Sequence, residues 1–166
     1  GRKVIVVDMR NHGSSFWHNS HRYEDLAKDL GNIVIAFGDS ADIIGHSMGG
    51  KAAMVLALLY PQYVNKLVVV DIAPIKYDHD QSKYISAMET VNLSLVSNRK
   101  DLDNQLAIRI DDPTLRAFFN QSVDFSQAIE KKWSLNLSSI KRNLSFIMNF
   151  PQLSSKALCK SLFLRG

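Results

Sequence analysis

The chain has 166 residues, 46% hydrophobic and 22% charged, with a formal net charge of +4. That length can bury a core, and the apolar share excludes disordered, collagen-like and coiled-coil classes. No apolar run reaches the ~20 residues of a membrane span, and the single cysteine, Cys159, excludes an internal disulfide or a multi-cysteine zinc site.

Residues 4–7, Val-Ile-Val-Val, read as a strand covered on both faces, the habit of parallel sheets. A polar turn follows from Arg10 to Ser15. From Tyr23, the positions Leu26, Ala27, Leu30, Ile33, Val34 and Phe37 recur at helical spacing, and Gly38-Asp39-Ser40 closes that helix. Residues 41–44 predict a short strand ended by Gly45. Residues 48–60 are apolar on nearly every side, so a helix buried all round is expected up to Pro61. Residues 66–71 form another strand pattern. Strand, helix, strand, helix and strand with short connections predict an α/β fold with a mostly parallel sheet.

Beyond Pro74 the periodicity is helical only: 84–96, 102–110, 114–119, 125–133 and 140–150, with Asp112-Pro113 marking a helix start. Residues 161–164 return to the strand pattern. The expected organisation is a core segment over 1–78, a helical cap inserted over 79–155 and a returning core strand over 156–166. Such an insertion would sit over the carboxyl ends of the strands, where open α/β sheets place ligands. Strand patterns stand at both chain ends, so the expectation is an internal piece of a longer protein; no targeting segment is read from it.

The first 79 residues carry eight basic and eight acidic side chains, and the rest carry twelve and eight. Residues 131–166 hold seven Lys and Arg and no Asp or Glu. A stretch of that kind can bind nucleic acid or anionic lipid. Here its charges alternate with Leu135, Leu137, Ile140, Leu144, Ile147 and Met148, which reads as a solvated helix edge. Nucleic acid is therefore not an expected partner.

Gly45-His46-Ser47-Met48-Gly49 fits G-x-S-x-G between a strand and a buried helix, the setting of a nucleophile elbow. A turn that tight strains the backbone at Ser47 and exposes its hydroxyl, and Gly45 and Gly49 are expected to remove side-chain collisions across it. The Met48 N–H, opening the helix, would meet a developing oxyanion. A serine nucleophile needs a base and the base an orienting acid. Asp71 leaves the next strand at the same sheet edge, where it can serve as that acid or cap the Ile72-Ala73-Pro74 turn.

Of the five histidines, none stands where the base belongs. His79 follows Asp71 but sits at the mouth of the helical insertion, and His46 is held in the elbow beside Ser47. His12 reads as a structural hydrogen-bonder, while His18 and His21 read as solvated loop residues. Cys159 reads as a packed thiol. Trp133, Phe118, Phe119, Phe146 and Phe150 read mostly as core, some of them lining an acyl pocket. No spacing suggests a metal and no Gly-rich phosphate loop is present, so no cofactor is expected.

Val7-Asp8-Met9-Arg10-Asn11-His12-Gly13-Ser14, Ile44-Gly45-His46-Ser47-Met48-Gly49-Gly50-Lys51 and Val70-Asp71-Ile72-Ala73-Pro74 together resemble an α/β-hydrolase branch. That branch holds YbfF-type bacterial esterases and the mitochondrial α/β-hydrolase domain-containing protein eleven. The segments Asp112-Pro113-Thr114-Leu115-Arg116-Ala117-Phe118-Phe119, Trp133-Ser134-Leu135-Asn136-Leu137 and Leu162-Phe163-Leu164-Arg165-Gly166 are similar to its cap helices and penultimate strand.

The resemblance implies a partial α/β-hydrolase fold and a serine-dependent hydrolase of carboxylic esters or thioesters with small or medium acyl groups, with no cofactor. In it Ser47 matches the nucleophile, Met48 N–H one oxyanion donor and Asp71 the acid of the bacterial esterases. Other members use an acid after the following strand. The resemblance also implies that the catalytic histidine lies past Gly166 and the second oxyanion donor before Gly1, so the 166 residues alone are expected to turn over poorly. It implies an intracellular home, mitochondrial if eukaryotic and cytoplasmic if bacterial. The alternative is a non-catalytic module of the same fold that binds an acyl ligand or a protein.

Overall fold

The computed structural model describes residues 1–126 and 132–166. Contacts group them into two units: Gly1–His18 with His79–Leu144, and Asn19–Asp78 with Ser145–Gly166. In chain order the elements are α1 (Tyr23–Phe37), β1 (Ala41–His46), α2 (Met48–Leu59), β2 (Val64–Val70), α3 (Ser82–Glu89) and α4 (Arg99–Ala107). Then follow α5 (Pro113–Asn120), β3 (Val123–Asp124), β4 (Lys132–Trp133), α6 (Leu137–Arg142), α7 (Leu144–Met148) and β5 (Lys160–Leu164).

The second unit is a three-stranded parallel sheet in the order β1-β2-β5. Its register aligns Ile44 with Val68 and Val68 with Leu162. One helix, α1, buries Tyr23, Leu26, Ala27, Gly31 and Val34 along one face, with Glu24 and Asp25 placed favourably in the first turn of its dipole. The other, α2, is buried continuously from Gly50 to Ala57, as its all-round apolar sequence requires. It lies on the sheet face that carries Gly45 and Val69. On the opposite face Ile44, Leu162 and Leu164 are 74%, 53% and 47% exposed.

Residues 4–7 do not form the expected strand. Val4 and Val6 are exposed and no ladder among the described residues pairs them. A β-favouring run becomes a strand only when a neighbour takes its backbone N–H and C=O groups.

The first unit packs α3 to α6 around Ala87, Met88, Val96, Leu102, Leu106, Ile110 and Val123. The helical run expected over 84–96 stops at Glu89, and Asn92 turns the chain by accepting from Ser94 N–H into a short 3-10 turn. The run expected over 140–150 is broken at Asn143, whose side chain donates to the Ser139 carbonyl at 2.9 Å. Asp112 does start a helix, accepting from Thr114 and Leu115 N–H. Of the helix expected over 125–133, residues 127–131 lie outside the described residues. Lys132–Trp133 instead pairs antiparallel with Val123–Asp124.

The chain's beginning is fixed within this unit by a polar network. Asn11, fully buried with φ 66°, accepts from His18 N–H at 2.7 Å and from Asn136 Nδ2 at 3.0 Å, and donates to Ser139 Oγ at 3.3 Å. Ser139 Oγ donates onward to the His18 carbonyl at 2.6 Å. Asp8 accepts from the Ser14 N–H and hydroxyl at 3.0 and 3.1 Å, closing the turn around Gly13. At Gly13, with φ 54°, a Cβ would overlap the Asp8 carboxylate, so glycine is required there.

Candidate active site

Ser47 joins β1 to α2 with φ 50° and ψ −122°, a backbone conformation that L side chains rarely adopt and that costs about 1–3 kcal/mol. Two backbone bonds hold it there. Its N–H donates to the Val70 carbonyl at 3.1 Å, extending the β1–β2 ladder, and its carbonyl accepts from Lys51 N–H at 3.1 Å, opening α2. The residue is exposed and its hydroxyl makes no capping bond to the helix. A serine oxygen at a strand-to-helix kink, unspent on capping, is chemically available.

The glycines divide differently from expectation. A Cβ on Gly45 would fall 2.4 Å from the Gly49 carbonyl oxygen and 2.7 Å from Gly50 Cα, a backbone collision that no rotamer relieves. At Gly49 a Cβ would meet nothing within 4 Å, so Gly49 does not remove a collision. The second tight position is Gly50, where a Cβ would lie 2.7 Å from Ile72 Cγ2 and 3.1 Å from the Gly45 carbonyl. Helix and strand approach backbone to backbone at Gly45, so side chains on either partner are what the packing forbids. The adjacent Gly-Gly pair in the sequence was the available signal for Gly50.

Met48 is the first residue of α2, so its N–H is one of the donors a helix start leaves without an intrahelical acceptor. Its Sδ lies 3.2 Å from His21 Nε2. His21 is fully buried, which corrects its reading as a solvated loop residue. The physical reason is position: it stands two residues before Tyr23, whose side chain is buried in the first turn of α1, and is drawn inside with it.

Asp71 is the first residue after β2, exposed, with φ 53°. Its N–H donates to the Leu164 carbonyl at 2.8 Å and its Oδ1 accepts from Gly166 N–H at 3.4 Å. No bond from its carboxylate reaches residues 72–74 among the described residues, so turn capping is not its role.

His46 is exposed at the end of β1, and His79 is exposed in the other unit. His18 is also exposed, while the His12 Nδ1 sits 3.0 Å from the Arg10 carbonyl, the structural bond expected of it. Among the expected core aromatics, Phe119 and Trp133 do pack against the first unit's core. Phe118 and Phe146 do not, being 64% and 40% exposed, and Phe146 instead lies under the Arg22 guanidinium at 4.0 Å. Both helices that carry them are short and place these positions outward. Phe150 and the Cys159 thiol are half-buried. In the basic stretch, Lys131 lies outside the described residues and Lys141 ends on Glu89 at 2.6 Å, which neutralises it. No helix among the described residues is long and apolar enough to cross a membrane.

The profile of the alpha/beta hydrolase fold matches residues 1–154. The protein named sn-1-specific diacylglycerol lipase ABHD11 of Mus musculus is 35% identical over 173 residues, covering 100% of this chain and 56% of its own length. Esterase YbfF of Escherichia coli K12 is 46% identical over 82 residues, covering 47% of this chain and 32% of its own. A solved marine microorganism esterase superposes with a TM-score of 0.86 at 35% identity, over 95% of this chain and 64% of that one. The chain thus spans about half the length of the curated relatives that it matches from end to end. Together with the parallel sheet and its strand-to-helix kink, the match makes this chain a member of the α/β-hydrolase fold family.

Proposed function

We propose that this chain carries the nucleophile of a serine-dependent acyl hydrolase acting on carboxylic esters or thioesters. The observation that supports this is the backbone of Ser47, held at φ 50° by the sheet on one side and α2 on the other, in an exposed residue whose hydroxyl caps nothing. Strain of this kind persists only where the surroundings over-determine it, and it concentrates at reacting groups.

In this reading Ser47 Oγ attacks the acyl carbon and gives its proton to a base. The carbonyl oxygen gathers charge facing the Met48 N–H, and the alcohol or thiol leaves with a proton. Water then repeats the attack on the acyl-serine and frees the acid. Asp71 is the candidate acid that orients the base. The base itself and a second oxyanion donor are assigned to sequence outside the 166 residues, and the helical residues 79–155 to a cap. Losing one oxyanion donor costs about 10²–10³ in rate, and the isolated chain is correspondingly expected to be a poor catalyst.

Fluorophosphonate labelling tests the reading without a known substrate. The complete polypeptide that carries this chain should label and hydrolyse p-nitrophenyl butyrate, and Ser47→Ala should remove both. Labelling that survives Ser47→Ala would overturn the assignment. A complete polypeptide that neither labels nor hydrolyses would support the ligand-binding alternative instead.

A further inference from the structure

Lys51 is the one charged residue of α2, in a stretch that is otherwise apolar, and it is 1% exposed. Its backbone N–H bonds the Ser47 carbonyl. The Nζ donates to the Met148 carbonyl at 3.2 Å and to the Asn149 carbonyl at 2.8 Å. It also lies 4.8 Å from the Tyr77 ring centroid and 5.8 Å from that of Tyr23.

The Met148 carbonyl is shared, because Tyr77 N–H donates to it at 2.9 Å. One residue earlier, the Ile147 carbonyl accepts from the Tyr23 hydroxyl at 2.7 Å. Tyr77 belongs to the segment that leads out of this unit, which gives way to the other at His79, and residues 147–149 belong to the segment that leads back. Outgoing and returning connections are thus bonded to each other and to a single ammonium.

Among the described residues the charge has no anionic partner. Among the described residues the titratable groups facing it are Tyr77 from the outgoing segment and Tyr23 from α1. Neither α7 nor the rest of α2 contributes any. Burial pushes the Tyr23 hydroxyl well above its usual range, so it stays neutral. Carbonyl dipoles and ring faces soften the charge, but a buried ammonium without a carboxylate is destabilised relative to one in water.

We propose that Lys51 is a positioning residue that ties both connections of the helical insertion to the first turn of α2, and that this joint tightens when its ammonium loses a proton. The sign follows from linkage. Burial lowers the Lys51 pKa from 10.5 to about 8 in the closed joint, and opening returns the group to water and to its ordinary value. The open form therefore binds more protons over that interval, so rising pH favours the closed form by about tenfold per pH unit. This inference concerns the joint whatever chemistry Ser47 performs.

Amide hydrogen exchange at Tyr77 and Asn149 between pH 6.5 and 10 tests it in the complete polypeptide. Base-catalysed exchange accelerates in proportion to hydroxide, whereas the open fraction falls about tenfold per pH unit once Lys51 titrates. The observed rates should rise up to about pH 8 and then level off. In Lys51→Met, which cannot titrate, and in Lys51→Arg, which keeps its charge, the rates should keep rising throughout. Wild-type rates that climb without a break to pH 10 would overturn the proposal, as would the same plateau in a folded Lys51→Met protein. Should Lys51→Met fail to fold, the wild-type series and Lys51→Arg decide.

Discussion

Ser47 and Asp71 occupy equivalent places on neighbouring strands. Each is the first residue past its strand, each has a left-handed backbone with φ of 50° and 53°, and each gives its N–H to the last carbonyl of the next strand, Val70 and Leu164 respectively. The parallel ladder thus runs one step beyond the regular sheet and holds two chemically capable side chains at one edge. Strain and position come from the same hydrogen bonds.

That strain separates two substitutions that both remove the hydroxyl. Ser47→Ala keeps a Cβ in an unfavourable conformation and should leave stability nearly unchanged. Ser47→Gly releases the strain and should raise stability by about 1–3 kcal/mol. Neither variant should label with a fluorophosphonate. Denaturant titration of the two proteins side by side checks the difference, and equal midpoints would remove the argument from strain.

Asp71 allows a comparable separation of chemistry from folding. Asp71→Asn retains size and hydrogen-bonding atoms, so its melting temperature should stay close to wild type. If Asp71 orients the base, kcat in the complete polypeptide should fall by about 10⁴, because the amide favours the wrong imidazole tautomer. Asp71→Gly should be the more stable and equally inactive form, its φ no longer penalised. A kcat within a factor of a few in Asp71→Asn would move the acid to another residue.

How far the sequence reveals this arrangement depends on whether a feature is local. The kink at Ser47 is legible because the strand, the glycine and the buried helix are contiguous. The start of α5 at Asp112-Pro113 is legible for the same reason. Residues 4–7 mislead because a strand needs a partner that composition cannot supply. The helical repeats over 84–96 and 140–150 overrun because apolar periodicity says nothing of Asn92 and Asn143, whose side chains compete for backbone bonds. His21 and Lys51 escape notice as buried groups because polarity suggests solvent. For Lys51 a warning existed, a lone cation amid an otherwise apolar helix.

The glycine geometry gives an ordered series. Gly45→Ala drives a Cβ into the Gly49 backbone at 2.4 Å and should cost about 3 kcal/mol or more. Gly50→Ala meets Ile72 Cγ2, a side-chain atom able to shift, and the Gly45 carbonyl at 3.1 Å, so roughly 1–3 kcal/mol is expected. Gly49→Ala meets open space inside a helix and should stabilise by about 1 kcal/mol. Thermal melts of the three variants test the ranking. A Gly49→Ala protein as damaged as Gly45→Ala would mean that the kink tolerates no side chain at either position.

The Asn11 amide joins the chain's beginning to the start of α6. Removing it takes this acceptor from the part-buried His18 N–H and the buried Asn136 Nδ2 and places alanine at φ 66°. Each unsatisfied buried group costs about 1–3 kcal/mol, and the left-handed backbone about 1–2 more for a residue lacking a short polar side chain. With Asn136 Nδ2 the one fully buried group of the two, Asn11→Ala should destabilise the first unit by roughly 2–5 kcal/mol. Asn11→Gly should recover only the backbone share, and Asn11→Asp keeps the acceptor but exchanges the donor to Ser139 Oγ for a buried charge. Urea titration read through the fluorescence of Trp17 and Trp133, both in the first unit, orders the three. A near-neutral Asn11→Ala would mean that water replaces the amide, and that the network fixes the loop by shape rather than by its hydrogen bonds.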